Sequence, residues 1–267
     1  MITRHSLIPF LLISFAIAWG ILALYIFLAE PMARTFGALT GAHPLFYLAV
    51  YAPAIAAISV VLYHQGLSGL RRLFARLLLW RASIAWYALL IIGIPLVFYA
   101  AAAMQGQRFT DPFPFDSLAA YLLAALLMAI KGPVEEIGWR GFALPLLQRT
   151  FAPFWAGLIL GIIWGIWHLP AFLLSGTPQS AWSFMPFLFG SVALSLIVTP
   201  MFNASRGSIL LPMLFHFQLI NPLWPNAQPL ENYLFMGLAV LVVWFNRKAM
   251  FSRDGAVTGI TPEKIHA

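Results

Sequence analysis

Runs of apolar residues long enough to cross a lipid bilayer recur along the whole chain. One spanning helix needs about 20 residues, and only 9% of this chain is charged, whereas a soluble domain carries about 25% charged residues. In lipid, backbone polar groups must bond internally, so such spans are helices. We expect spans at 7–29, 44–63, 84–104, 117–134, 153–173, 182–202, 207–221 and 230–246. The sequence therefore predicts an all-α, polytopic integral membrane protein with about eight transmembrane helices.

Lysine and arginine are unevenly divided between the two ends of these spans. If the N-terminus is cytoplasmic, the outer loops hold only Arg34 and Arg108. The cytoplasmic segments hold Arg4, Arg71, Arg72, Arg76, Arg81, Arg149, Arg206, Arg247, Lys248, Arg253 and Lys264. Cytoplasmic loops carry such an excess of basic residues. We therefore expect a multi-pass plasma-membrane protein with both termini cytoplasmic, whose basic residues contact the lipid bilayer and bind no nucleic acid.

The chain divides into one membrane-embedded domain and a tail. We expect the domain at 1–246 and a polar cytoplasmic tail at 247–267. Residues 68–81 fit a short interfacial helix, with leucine and phenylalanine on one face and Arg72 and Arg76 on the opposite, polar face. The chain contains no cysteine, which removes disulfides, thiolate nucleophiles and cysteine-ligated metals.

Two adjacent glutamates, Glu135 and Glu136, interrupt one of the most apolar stretches, and Arg140 follows. A charged side chain at membrane depth costs roughly 2.5–3.5 kcal/mol on insertion scales and usually marks function. On a helix, Glu136 and Arg140 are four residues apart and can pair. Glu135 points about 100° away from Glu136 and stays available as a base or ligand. A buried ion-pair network that only holds helices together is the alternative interpretation.

Two histidines lie in other apolar spans. His168 follows Gly157, Gly161 and Gly165, whose spacing lets helices approach closely, so this face packs against protein. Trp164 lies one turn before His168 and can form a wall of the site. His216 lies in the short seventh span, with Asn221 near its end. Either histidine alone could simply make one interhelical hydrogen bond.

Carboxylates and histidines on three helices suit two kinds of hydrolytic chemistry. Glu136, His168 and His216 are candidate ligands of a divalent metal such as zinc, with one position left for water. Alternatively, a carboxylate–histidine pair activates water while other polar groups stabilise an oxyanion. No His-Glu-x-x-His or Gly-x-Ser-x-Gly motif occurs, and no organic cofactor is expected. The residues leave the choice between these schemes open.

These motifs resemble those of the CPBP family (CaaX proteases and bacteriocin-processing enzymes, also called Abi), which includes the Ras-converting CaaX endopeptidases. That family carries Glu-Glu-x-x-x-Arg, aromatic-x-x-x-His and His-x-x-x-Asn or Asp on separate helices. Here Glu135-Glu136-Ile-Gly-Trp-Arg140 and Trp164-Gly-Ile-Trp-His168 agree in order and spacing. The resemblance covers about residues 117–222.

The resemblance implies a role for each matching residue. Glu135 looks like the carboxylate that activates water, with His168 as its partner. Glu136 and Arg140 look like supporting residues, and His216 looks like a metal ligand or an oxyanion stabiliser. The third motif departs from the pattern, because Ile220 stands four residues after His216.

Asn221 follows five residues after His216 and precedes Pro222. The residue before a proline is displaced from the helical region of backbone space. We therefore expect that the last turn distorts enough to bring the Asn221 amide back toward the site.

The depths of the acidic and histidine motifs predict a break in the fourth span. A straight helix from Ser117 would carry Glu135 about 27 Å across the membrane. His168 would lie about 22 Å from Pro153, at the start of the next, oppositely directed helix. The two levels do not coincide unless Gly132-Pro133 interrupts the helix. We therefore predict a kinked fourth helix, a second helical piece at 134–148 and a central polar cavity.

The leading functional interpretation is an intramembrane CaaX-type endopeptidase. Its substrate would be a hydrophobic peptide or protein, with prenylation as one form of lipid modification, cleaved near the cytoplasmic side. A non-catalytic membrane immunity or scaffolding protein on the same scaffold is the alternative. A proton-coupled transporter is a third class that uses intramembrane acids, but no internal repeat is evident in this sequence.

Overall fold

Helices form all the regular secondary structure that the computed structural model describes, in residues 2–108 and 113–260. Within these described ranges, six helical stretches are long and apolar enough to cross a membrane. They are Arg4–Phe27, Ala52–Leu78, Ile84–Met104, Leu118–Gln148, Pro153–Leu173 and Phe184–Ala204. Two shorter apolar helices, Leu210–Leu219 and Leu230–Phe245, accompany them. The prediction of an all-α polytopic membrane protein is confirmed.

The individual helices follow the apolar spans, with short connections between them. In chain order they are α1 (Leu7–Phe27), α2 (Ala29–Phe36), α3 (Pro44–Val50), α4 (Ala52–Ala75), α5 (Ile84–Ala88), α6 (Ile94–Met104), α7 (Leu118–Lys131), α8 (Glu135–Gly138), α9 (Leu144–Gln148), α10 (Pro153–Trp167), α11 (Phe184–Ala204), α12 (Leu210–Leu219), α13 (Leu230–Phe245) and α14 (Arg247–Phe251). Leu89–Gly93 and Trp139–Ala143 are π-helical turns.

The predicted break in the fourth span is present. Helix α7 ends at Lys131, and the chain resumes as α8 at Glu135. Between them, the Glu135 amide donates to the Gly132 carbonyl at 3.0 Å, which is a tighter turn than an α-helix makes. Because Pro133 lacks an amide hydrogen, it cannot continue the helical ladder. The π-helical turn at Trp139–Ala143 then joins α8 to α9.

A glycine face joins α10 to α11. A methyl group on Gly157 would lie 2.6 Å from Thr199 Oγ1, and one on Gly161 would lie 2.6 Å from the Val192 Cα. On Gly165 it would lie 2.5 Å from a Leu188 methyl carbon. Only hydrogen fits at these distances, so the predicted close approach of helices on this face is confirmed.

Arg76 corrects one detail of the predicted interfacial helix. The helix does restart after Gly66, whose φ is +60°, but Arg76 is not on a polar outer face. Its guanidinium is fully buried and donates to the carbonyls of Gly141, Gly207 and Ile260, at 3.0, 2.7 and 2.9 Å. The sequence analysis placed Arg76 on the polar face opposite the leucines, because the burial of that face by other segments cannot be read from a local pattern.

One end of the helix bundle, which we call the basic end, gathers the N-terminal segment, the tail and several turns. Besides the Arg76 contacts, Arg149 donates to the Ile2 carbonyl at 2.9 Å. Gln148 bonds both Asn203 and the Val257 carbonyl. The tail is therefore packed on the membrane domain as far as Ile260, while Lys264 lies outside the described residues. The division into a domain at 1–246 and a tail at 247–267 stays a prediction.

The opposite end, which we call the distal end, consists of the loops 37–43, 105–107, 168–183 and 221–229. The Gly41 amide donates to the Gly176 carbonyl at 3.1 Å, which joins the first loop to the third. The Gln105 amide side chain donates to the carbonyls of Ala227 and Gln228 at 3.0 and 3.1 Å, which joins the second loop to the fourth. The helices thus run between two chemically different ends.

Candidate active site

A cavity of about 390 Å³ lies among the distal halves of the helices. Its wall is largely aromatic and aliphatic, and its polar groups are few. They include Lys131, Glu135, His168, His216, Asn221, Gln228, Glu231 and Asn232. An apolar enclosure with a small number of convergent polar groups is the usual form of a binding site. The predicted central polar cavity is therefore present, and it contains side chains from several of the predicted motifs.

Glu135 and Glu231 both line this cavity, and Glu135 is the one from the acidic motif. The Glu135 side chain is almost fully buried. Oε2 accepts one hydrogen bond from Trp164 Nε1 at 2.9 Å and another from Trp139 Nε1 at 3.3 Å. Among the described residues, no group donates to Oε1 at hydrogen-bonding distance. One oxygen is thus anchored by indoles while the other is available to a water molecule in the cavity.

Glu136 and Arg140 form the predicted ion pair, and this pair lies behind the cavity wall. Arg140 donates to Glu136 Oε1 at 3.0 Å, and both side chains are buried. The same oxygen accepts a hydrogen bond from His216 Nδ1 at 2.8 Å. Neither Glu136 nor Arg140 lines the cavity. The pair therefore orients His216 rather than facing a substrate.

His216 presents its other ring nitrogen to the kink of the fourth span. A methyl group on Gly132 would lie 2.8 Å from His216 Nε2. Because Gly132 has only hydrogen there, the imidazole can sit close to the backbone just before Glu135. The break at Gly132-Pro133 thus has two consequences, since it sets the depth of Glu135 and leaves space for His216.

His168 is fixed by its own helix. Its Nδ1 lies 2.8 Å from the Trp164 carbonyl oxygen. A carbonyl can only accept, so Nδ1 carries the proton and donates, which leaves Nε2 without a proton in the neutral ring. The ring also contacts Phe187 of α11, with centroids 5.0 Å apart. His168 therefore offers one basic nitrogen in a fixed orientation.

Trp164 connects these groups. Its indole donates to Glu135, and its carbonyl accepts from His168. Its ring lies 5.7 Å from the His216 ring, and the Arg140 guanidinium lies over its face at 4.9 Å. A cation above an indole face is electrostatically favourable. Trp164 is therefore the structural centre of the site and does more than form a wall.

Asn221 lies at the edge of the cavity, just beyond the end of α12. The helix stops at Leu219, and Ile220 already has a non-helical backbone. The Asn221 side chain is largely buried, donates to Gln218 at 3.1 Å and accepts from the Leu223 amide at 3.0 Å. The expected distortion before Pro222 thus brings Asn221 into the cavity wall. Its part in the reaction stays a prediction.

The donor groups of the site bear directly on the predicted metal. Among the described residues, no three His, Asp or Glu side chains converge closely enough to hold a metal ion. Of the predicted ligands, Glu136 is engaged by Arg140 and His216, and it lies outside the cavity. The described side chains therefore do not present the three-ligand set of a catalytic zinc, and the steps proposed below use only this chain's own groups.

The sequence analysis did not assign a role to several residues in or beside the cavity. Trp139 is four residues after Glu135, the same helical spacing that pairs Glu136 with Arg140, so its indole contact was accessible to the same argument. Glu231 is the one acid in the last apolar span, and that rarity was its signal. It accepts from the Ala227 amide and from Gln228, at 3.0 and 2.6 Å. Lys131 lines the cavity too and donates to the Gly41 carbonyl at 2.6 Å.

Comparison with known proteins agrees with this site. Residues 114–220 match the family model described as Type II CAAX prenyl endopeptidase Rce1-like. The protein named CAAX prenyl protease 2 of Methanococcus maripaludis is 27% identical over 180 residues, which cover 63% of this chain and 65% of that protein. The match thus spans less than two thirds of that relative's length. Both similarities point to the same group of proteases whose motifs the sequence resembles.

Proposed function

We propose that this protein is an intramembrane endopeptidase that hydrolyses a peptide bond in a hydrophobic or lipid-modified substrate. The observation that carries the proposal is the Glu135 carboxylate, which is anchored at one oxygen by two indoles and shares an apolar cavity with His168 and His216. Burying a carboxylate at membrane depth costs free energy, and residues of this kind usually have a function. The family match supports the same class of reaction.

In the proposed mechanism, water is the nucleophile. Glu135 Oε1 removes a proton from a water molecule, whose oxygen then forms a bond to the scissile carbonyl carbon. His168 Nε2 accepts a hydrogen bond from the same water and orients it. The carbonyl π bond opens, and its electron pair moves onto the oxygen. A positioned base of this kind contributes typically 10²–10⁴-fold to the rate.

The supporting residues act on the intermediate. His216, with Nδ1–H held by Glu136, donates from Nε2–H in its doubly protonated form to the oxyanion, and the Asn221 amide is the second donor. Donors fixed in advance stabilise developing charge effectively in a water-poor site. The oxyanion then collapses, the carbon–nitrogen bond breaks, and the proton held by Glu135 moves to the leaving amine.

The cavity wall argues for an apolar substrate. Phe46, Phe98, Phe187, Trp167 and Trp224 surround the polar groups, and an apolar chain is stabilised on entering such a wall. A prenyl group is one ligand of this chemistry and an aliphatic peptide side chain is another. We therefore propose a peptide or protein substrate in the bilayer, with prenylation as a testable property of it.

The test is cleavage in proteoliposomes of a fluorophore–quencher peptide, prepared with and without a farnesylated cysteine. We expect cleavage by the wild-type protein and a loss of about 10³-fold in Glu135→Gln, with unchanged thermal unfolding. Glu30→Gln makes the same substitution at an exposed glutamate whose contact is an exposed pair with Arg34, and should retain full activity. Full activity in Glu135→Gln would refute the catalytic assignment and favour a scaffolding role.

The same assay tests the metal prediction. Inhibition by a chelator, reversed by zinc, would support a metal-dependent route. Activity unchanged by chelation would support the carboxylate–histidine route. We propose that both termini are cytoplasmic, on the basis of the positive-inside distribution of arginine and lysine.

A further inference from the structure

We propose that the active-site cavity admits its substrate from the extracytoplasmic side of the membrane, so that the cleaved segment is an apolar peptide presented there. The inference rests on the proposed function and on the geometry of the two ends of the bundle. It replaces the sequence-based expectation of cleavage near the cytoplasmic side.

The cavity belongs to the distal half of the molecule. Its lining comes from the ends of the helices nearest the loops 168–183 and 221–229, and from those loops themselves. Pro178 and Asn226 are both exposed and both line the cavity, so the cavity meets the surroundings at the distal end. Lining residues are absent from the described segments 2–17, 51–97, 136–163, 195–215 and 236–260, which include the whole basic end.

The positive charge is concentrated at the other end. Arg149 contacts Ile2, and Arg253 contacts the Arg149 carbonyl at 2.5 Å. Phe251 of α14 stacks on Phe154 at the start of α10, with centroids 4.7 Å apart, so Arg247 and Lys248 lie there too. The described basic residues at this end are Arg4, Arg71, Arg72, Arg76, Arg81, Arg149, Arg206, Arg247, Lys248 and Arg253.

The distal loops have few cations by comparison. In the described part of the chain, the arginines near these loops are Arg34 in α2 and Arg108 directly after the second loop, and Lys131 donates to the first loop at Gly41. Positive residues in short loops stay in the cytoplasm, where anionic lipid headgroups attract them. The charge distribution therefore orients the basic end inward and turns the cavity outward.

The consequence concerns the class of substrate. A cytosolic protein whose C-terminus is modified in the cytoplasm would have to reach the cavity from the wrong side. A membrane-anchored or exported peptide, whose apolar segment lies in the outer half of the bilayer, would reach it directly. The same catalytic groups would then act on membrane-anchored or exported peptides and not on cytosolic proteins.

The absence of cysteine makes the sidedness measurable. Single cysteines are introduced at exposed positions of each end: Ser183→Cys at the distal end and Thr258→Cys at the basic end. Spheroplasts of expressing bacteria are treated with a membrane-impermeant maleimide, before and after permeabilisation. We expect Ser183→Cys to be labelled in intact spheroplasts and Thr258→Cys only after permeabilisation. Labelling of Thr258→Cys from outside, or of Ser183→Cys only after permeabilisation, would overturn the proposal.

A cleavage experiment separates this proposal from the proposed function. The fluorogenic peptide, made membrane-impermeant with a polar tag, is added to right-side-out and inside-out vesicles. We expect hydrolysis at least tenfold faster in right-side-out vesicles and none with Glu135→Gln. Faster hydrolysis in inside-out vesicles overturns the sidedness alone. If neither vesicle type cleaves and detergent-solubilised protein is also inactive, the proposed function fails, whereas the labelling result still decides the sidedness.

Discussion

The two ends of this molecule both bury charged side chains, but they use them differently. At the basic end, Arg76 donates to backbone carbonyls and links α4 to the turns at Gly141 and Gly207 and to the tail. At the cavity, Glu135 keeps one oxygen in two indole hydrogen bonds and has the other free of donors among the described residues. A buried charge whose contacts are backbone groups stabilises the fold, whereas one with a spare atom facing a cavity can take part in chemistry.

Replacing His168 should have the largest effect on activity. In His168→Asn, the side-chain amide can still donate to the Trp164 carbonyl, but the basic Nε2 is gone. We expect kcat/KM to fall by about 10³-fold while thermal unfolding in detergent stays unchanged. His5→Asn is the matched control, because His5 is exposed at the basic end. A loss of less than about threefold in His168→Asn would remove His168 from the proposed mechanism.

Replacing Arg76 should affect stability and leave the reaction intact. Arg76→Met leaves the carbonyls of Gly141, Gly207 and Ile260 without their donor. We expect a net loss of about 3 kcal/mol in the free energy of unfolding. Hydrogen bonds to a charged group contribute roughly 1.5–3 kcal/mol each, and part of their sum is offset because burying methionine carries no cost of desolvating a charge. The kcat/KM of the protein that remains folded should match the wild type.

Arg71→Met is the control for this substitution, because Arg71 is exposed on the same helix. It should change neither stability nor activity. If Arg76→Met lowered the kcat/KM of the folded protein as well as its stability, Arg76 would contribute to the reaction. The functional difference between the two ends would then be wrong.

Adding a methyl group at the kink should have the smallest effect of the three. In Gly132→Ala, the new carbon would lie 2.8 Å from His216 Nε2, so the imidazole has to move. A displacement of a few tenths of an ångström should reduce kcat/KM roughly tenfold. Gly237→Ala, where nothing lies within 4 Å of the added carbon, should be silent. Equal activity of the two variants would show that the position of His216 near Gly132 does not matter.

Much of the site could be predicted because it depends on local helical geometry. The spacing of Glu136 and Arg140 predicted their pair, which is present at 3.0 Å. Gly132-Pro133 predicted the break before Glu135, and the glycines of α10 predicted its contact with α11. Each inference needs only the helical period or the missing amide of proline, and these act within a few residues.

Contacts between segments that are distant in the sequence could not be predicted from local helical geometry. The sequence placed Arg76 on a polar face, but the turn at Gly207 and the tail cover it. The hydrogen bond between His216 and Glu136 joins residues 80 positions apart. Glu231 lines the cavity because α13 packs beside α11 and α6, and Trp224 lines it from the loop that precedes α13. Such neighbours depend on helix order, tilt and rotation, which no local pattern specifies.

The sequence by itself determined the membrane helices, the family motifs, the pairing within the acidic motif and the uneven charge of the two ends. Only the tertiary structure decided which of the acidic and basic groups share the cavity and at which end of the bundle that cavity lies. The physical reason is that the helical period acts through neighbouring residues and the loop charge acts through the membrane potential. A cavity, by contrast, is the space left between helices after they pack. That space lies opposite the basic end, and this relation leads to the proposal that the substrate enters from outside.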